Sequence, residues 1–166
     1  MDIEYKSFQD KSGLYAYIHE QLQHITAETD DITAALSNAS ALLMLELPDI
    51  NWAGFYRFKN DRLVLGPFQG KPAVAEIEVG QGVCGTAAQT LETQLVEDVH
   101  SCCNHIACDI VTNSEIVVPI LLTDGTIYGV IDIDSPILSR FDAEDEKGLE
   151  DVAEIISTYI ERTTGR

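Results

Sequence analysis

Two short apolar runs, EIVVPILL (115–122) and TIYGVIDID (126–134), are separated only by Thr123, Asp124 and Gly125. Both are dense in β-branched residues, and each is shorter than an ordinary helix. A three-residue connection containing glycine joins such runs as an antiparallel hairpin. This pair anchors the expected fold, because its apolar side chains need other elements to cover them.

The segments on either side supply those elements. Leu14, Ile18, Leu22 and Ile25 recur at helical spacing within residues 13–26, and Ile32, Leu36, Ala39, Leu43 and Leu47 do so in a second run. Asp30 or Asp31 can cap that second helix, and Pro48 ends it. A last helix starts at Asp142 and should bury Leu149, Val152, Ile156, Tyr159 and Ile160. Between them, NWAGFYRF (51–58) and RLVLG (62–66) read as a hairpin, AEIEV (75–79) and QLVE (94–97) as short strands, and GQGVCGTAAQTL (80–91) as a turn feeding a short helix. GPFQGKPA (66–73) reads as a Gly/Pro-rich loop. The expected architecture is therefore α+β, one domain over residues 1–166 with its core at about residues 12–160. A central antiparallel sheet carries helices on one face, and loops around 66–74 and 98–113 roof a small-molecule pocket on the other.

A chain of 166 residues suits one such core. Its net charge of −18 argues against nucleic acid and anionic membrane surfaces as partners. No apolar run is long enough for a membrane span, and the start MDIEYKSFQD lacks the basic and apolar regions of a secretion signal, so a cytoplasmic protein is expected. Four cysteines in that compartment are buried, catalytic or metal-bound rather than a disulfide framework.

Three cysteines fall in HSCCNHIACD (100–109) and the fourth, Cys84, in GVCG. Cys84 opens a predicted helix, where free backbone N–H groups favour a thiolate and lower the pKa, although a small buried hydrophobe between glycines fits as well. Cys108 has His105 three residues before it and Asp109 after it. Two cysteines in segments that roof one pocket permit thiol–disulfide chemistry. A zinc loop built from Cys102, Cys103, Cys108, His100 and His105 is the rival, but no C-x-x-C pair or second ligand pair is present, and no metal is expected.

Asp132 and Asp134 alternate along one strand and share a face with Val130 and Tyr128, while Ile131 and Ile133 point the other way. Glu115 opens the neighbouring strand. An exposed acidic face is the simplest reading of such carboxylates in so acidic a protein. Clustered and buried, they would instead raise one another's pKa and keep a proton for donation near neutral pH. Trp52 and Tyr56 share another strand face, as core or as an apolar, π-rich wall for a thioether, methyl or cationic group.

Taken in order, NWAGFY, LGPFQGKPA, GVCGTAA, HIACD, SEIVVPI and GVIDIDS strongly resemble the free methionine-R-sulfoxide reductases, which are GAF-domain proteins. The likeness runs from about Ser12 to Tyr159. It implies reduction of the R-sulfoxide of free methionine, with no metal or organic cofactor, recycling by thioredoxin, and a homodimer. By similarity Cys108 is the nucleophile that becomes a sulfenic acid and Cys84 a resolving partner. Glu115, Asp132 and Asp134 bind the substrate's polar groups and assist protonation, and Trp52 and Tyr56 surround the sulfoxide methyl. The chain departs from the family in two places. Val74 stands where a resolving cysteine usually follows KPA, and Cys102–Cys103–Asn104 replaces an aromatic–Pro–Gly segment. Cys84, or auxiliary thiols at Cys102 or Cys103, would then close the disulfide on Cys108. The alternative to an enzyme is a GAF-type module that only binds or senses a small ligand.

Overall fold

The structure, a computed structural model, describes residues 8–101 and 110–165. Two capped helices come first. Asp10 accepts a hydrogen bond from the Gly13 backbone N–H and starts α1 (Lys11–Glu28); Asp31, rather than Asp30, accepts from Ala34 N–H and starts α2 (Ile32–Glu46). The chain then forms β1 (Trp52–Lys59), β2 (Arg62–Gln69), β3 (Glu76–Glu78), α3 (Gly82–Thr90) and β4 (Gln94–Val96). A 3-10 turn at Val99–Ser101 follows, then β5 (Ser114–Leu121), β6 (Ile127–Ser135) and α4 (Ala143–Thr164). Asp142 caps α4 in a reciprocal box with Asp145.

Every strand pairing is antiparallel, and the strands lie in the order β3-β2-β1-β6-β5-β4. The hairpin of β5 and β6 forms as its sequence requires, and β6 sits at the centre beside β1. One sheet face carries Ala53, Phe55, Ile116, Val118, Ile131 and Ile133. These pack with Ile18, Leu22, Leu36, Leu43, Leu149, Val152 and Ile156 of α1, α2 and α4. Burying side chains of this size contributes about 1.5–3 kcal/mol each, which holds the three long helices to the sheet. The other face carries Trp52, Tyr56, Val117 and Val130, and against it packs the short helix α3 through Val83, Cys84, Ala87 and Ala88. The three long helices thus take one face as expected, and α3 joins the loops on the other.

Two local readings change. Residues 66–69 are not loop but the end of β2, which continues to Gln69 despite Gly66 and Pro67. Pro67 is tolerated because β3 pairs with β2 only at Arg62, Leu63 and Val64. Tyr128 does not share the face of Val130: it packs on the long-helix side, while Ile127 joins the other cluster. The cause is an irregularity in the β5–β6 ladder, where Ile120 faces Gly129 but Leu121 faces Ile127, leaving Tyr128 as an extra residue that flips the alternation.

A single buried carboxylate sits inside the fold at the helix side. Asp145 is fully buried and accepts hydrogen bonds from Tyr15 Oη at 2.9 Å, Lys11 Nζ at 2.6 Å and Arg140 Nη1 at 3.1 Å. Nothing in the local sequence marks it beyond its place three residues after a capping aspartate. Among the described residues no helix is long and apolar enough to cross a membrane.

Candidate active site

The register of the three central strands lays out the site row by row. Trp52 of β1 faces Asp134 of β6, which faces Glu115 of β5; one row on, Gly54 faces Asp132, which faces Val117; and Tyr56 faces Val130. Side chains two apart on a strand share a face. Trp52, Tyr56, Glu115, Asp132 and Asp134 therefore all project from the side that α3 covers.

Gly54 opens the middle of this lattice. A Cβ there would lie 2.3 Å from the Phe68 Cβ and 2.8 Å from the Trp52 ring, so only glycine fits between them. The result is an aromatic wall: the Trp52 ring stacks on Phe68 at 5.2 Å and on Tyr56 at 6.1 Å between centroids. Phe68 is the member that sequence reasoning missed, because the glycines and prolines around it hide the end of β2. The wall also holds the loop after β2. Trp52 Nε1 donates to the Lys71 carbonyl at 3.1 Å, and Tyr56 Oη donates to the Val74 carbonyl at 2.9 Å. Val74 packs its side chain against this cluster.

The acidic strand face is not exposed. Glu115 is 5% accessible, Asp132 4% and Asp134 5%. Cys84, reaching across from α3, joins them at 4%. One donor atom each from Cys84, Glu115 and Asp132 lies within 4.8 Å of the others. The Cys84 thiol donates a hydrogen bond to Asp132, and Asp132 shares a proton with Glu115. These contacts leave Asp132 Oδ1 buried with no partner. Burial, followed by the charge of Glu115, pushes the Asp132 carboxyl well above the usual range; burial, followed by Asp134, does the same to Glu115. The pair therefore holds its shared proton to higher pH than free carboxyl groups do.

The same surroundings favour the buried reading of Cys84 over the helix-activated thiolate. It occupies the first turn of α3, where backbone N–H groups favour a thiolate, yet its pKa is pushed well up. Burial dominates, and the charges of Asp132 and Glu115 add to it. A helix terminus contributes at most about 2 kcal/mol to a nearby charge, less than dehydrating a thiolate among carboxylates. Cys84 is a thiol here.

Cys102, Cys103, His105, Cys108 and Asp109 lie outside the described residues. The described residues on either side of them are tied together at Asn113. Asn113 accepts from Val99 N–H through its carbonyl at 2.9 Å and donates its own N–H to Ser135 at 2.8 Å; its side chain meets His100 Nε2 at 3.1 Å and donates to the Pro136 carbonyl at 2.7 Å. A separate groove of about 640 Å³ between β5 and α4 is lined by Glu92, Glu146, Glu150, Glu154 and Glu161, and by none of the residues just described.

An antiparallel sheet with long helices on one face and a buried acidic cluster under a short helix on the other is the arrangement of a GAF domain, and the family model for that domain matches residues 18–160. Within that class the likeness is narrower. The free methionine-R-sulfoxide reductase of Escherichia coli is 51% identical over 140 residues, covering 84% of each chain. The Saccharomyces cerevisiae enzyme of the same name is 52% identical over 129 residues, 74% of this chain and 72% of that one. The structure of a free methionine-R-sulfoxide reductase from Neisseria meningitidis in complex with its substrate superposes with a TM-score of 0.93 at 38% identity, over 99% of both chains. The chain belongs to the free methionine-R-sulfoxide reductase family.

Proposed function

We propose that this chain reduces free methionine-R-sulfoxide to methionine in the cytoplasm, as a homodimer, with Cys108 as nucleophile and thioredoxin as the external reductant. No resident metal or organic cofactor takes part. The observation that carries the reading is the buried Asp132–Glu115 pair, which shares a proton and touches the thiol of Cys84.

Sulfoxide oxygen is a poor leaving group until it gains a proton. The Cys108 thiolate attacks the sulfoxide sulfur while Asp132 or Glu115 protonates the oxygen. The hydroxyl passes to Cys108 as a sulfenic acid, and methionine departs with its sulfur reduced by two electrons. The thiol of Cys84 then condenses with that sulfenic acid, releasing water and closing a disulfide. Thioredoxin's dithiol returns both cysteines to thiols and is itself oxidised. The raised pKa of Cys84 suits it to this second role, because a protonated thiol does not compete for the sulfoxide. Asp134 and Glu115 supply negative charge for the substrate ammonium group, and Trp52, Tyr56 and Phe68 supply the apolar wall for the thioether.

Thioredoxin-coupled NADPH oxidation with the purified protein tests this. Turnover is expected with L-methionine-R-sulfoxide and absent with the S-epimer or a peptide-bound sulfoxide. No turnover in the wild type, with Cys108→Ser indistinguishable from it, would leave only a ligand-binding module.

A further inference from the structure

Three groups with removable protons meet at one point: the Cys84 thiol, the Glu115 carboxyl and the Asp132 carboxyl, carried by α3, β5 and β6. They are donor atoms as well as acids. All three side chains are buried, and Asp132 Oδ1 has no hydrogen-bond partner. Protons keep the three groups neutral one at a time. A divalent cation would neutralise them together and would take up the unpartnered oxygen.

The spacing suits a small tetrahedral ion. Zinc holds thiolate sulfur at ~2.3 Å and carboxylate oxygen at ~2.0–2.2 Å, which places its donors roughly 3.3–3.7 Å apart. The three donors here are already within 4.8 Å of one another, so side-chain rotation of roughly 1 Å closes the set. Three protein donors with a fourth position open is the arrangement of an accessible zinc site rather than a closed structural one. One soft sulfur and two carboxyl oxygens favour zinc, cobalt or cadmium over magnesium or calcium, which take oxygen donors alone.

We propose that the reduced protein binds one thiophilic divalent cation, Zn²⁺ in the first instance, through Cys84, Glu115 and Asp132, and that the ion excludes the sulfoxide while it stays. Binding breaks the Cys84 S–H bond and the carboxyl O–H bonds, forms the three metal–ligand bonds and sends the protons to solvent; nothing is oxidised or reduced. The site exists only in the reduced state, because a disulfide at Cys84 removes its sulfur. Binding stands on the geometry alone. The blocking of turnover rests on the reductase reading.

Cobalt is the probe for binding, because a thiolate–Co²⁺ bond gives a charge-transfer band and a tetrahedral ion gives strong visible bands. The test uses a full-length, reduced protein carrying Cys102→Ser, Cys103→Ser and Cys108→Ser, which retains only Cys84. One equivalent of Co²⁺ should give both bands, Zn²⁺ should bleach them, and a hundredfold excess of Mg²⁺ should not. Adding Cys84→Ser should abolish the charge-transfer band. Asp132→Asn and Glu115→Gln should each weaken Zn²⁺ by at least tenfold in a chelator competition, with circular dichroism unchanged. Absence of the bands, or their survival in Cys84→Ser, overturns the site. In the wild type, Zn²⁺ should inhibit turnover with an apparent affinity that methionine-R-sulfoxide weakens. Inhibition unaffected by substrate overturns the exclusion, and failure of all turnover without added zinc counts against the reductase reading while leaving the cobalt result intact.

Discussion

Tyr56 donates its hydroxyl to the carbonyl of Val74 at 2.9 Å, which fixes the residue in the family's cysteine position against the aromatic wall of the site. The Val74 side chain already packs on the cluster that contains Cys84. A thiol introduced there would therefore need no new backbone path to enter the pocket. We predict that Val74→Cys retains the fold, that peptide mapping after one equivalent of substrate finds the disulfide at position 74, and that thioredoxin-coupled turnover rises. An unchanged disulfide and rate would show that Cys84 keeps the resolving role even when the usual thiol is restored.

The paired carboxyls of β5 and β6 set function against stability. Glu115 and Asp132 have folded-state pKa values raised by burial first, then by the charge of Asp134 on Glu115 and of Glu115 on Asp132. Between the unfolded and the folded pKa the native state binds more protons than the unfolded chain, so their contribution falls as pH rises through that window and stays low above it. Asp132→Asn removes one of these acids in nearly the same shape. It should cost at least a hundredfold in kcat/KM by removing a proton donor. It should also raise Tm at pH 8 relative to the wild type, by about 2–4 °C for each kcal/mol gained, with a smaller gain at pH 5. Thermal melts at the two pH values check the sign; a variant that is less stable at both would mean that the acid is structural.

The helix side makes the opposite prediction. Asp145 is buried with Lys11, Arg140 and Tyr15 around it, joining α1, α4 and the segment before α4. Asp145→Ala leaves the Arg140 guanidinium, 8% exposed, without its carboxylate partner. Breaking a buried pair in this way costs about 3–5 kcal/mol. Urea unfolding should show an unfolding free energy lowered by that amount, with the midpoint falling in proportion, and the substrate KM of the fraction still folded should be unchanged.

The sheet, the long helices and the acidic face were legible because each rests on local periodicity. Ile131 and Ile133 alternate against Asp132 and Asp134, and α4 repeats apolar residues every three or four positions. Phe68 was hidden because glycine and proline density in GPFQGKPA outweighs one aromatic, and only pairing with β1 keeps that stretch extended. Tyr128 was misplaced because a one-residue ladder irregularity leaves no mark in a strand's own sequence. The state of Cys84 stayed open between two readings for a related reason. Its helix-terminal position is visible in GVCG, whereas the carboxylates that outweigh it come from β5 and β6, some thirty and fifty residues on.

Cys84 therefore offers a direct measure of how the site assigns its two chemical roles. Burial and the charges of Asp132 and Glu115 push its pKa up, and its thiol is hydrogen-bonded to Asp132. A thiol held in that form alkylates slowly, since the thiolate is the reactive species. In the reduced protein, iodoacetamide labelling of the Cys84 peptide at pH 7 should be at least tenfold slower than labelling of glutathione, and should accelerate only above pH 9. In Asp132→Asn the midpoint of that rise should move to lower pH, because one source of negative charge and the acceptor of the thiol proton are changed together. Mass spectrometry of quenched time points reads both quantities. Labelling of Cys84 at pH 7 as fast as glutathione would make it an activated nucleophile, and would reverse the order of attack proposed for Cys84 and Cys108.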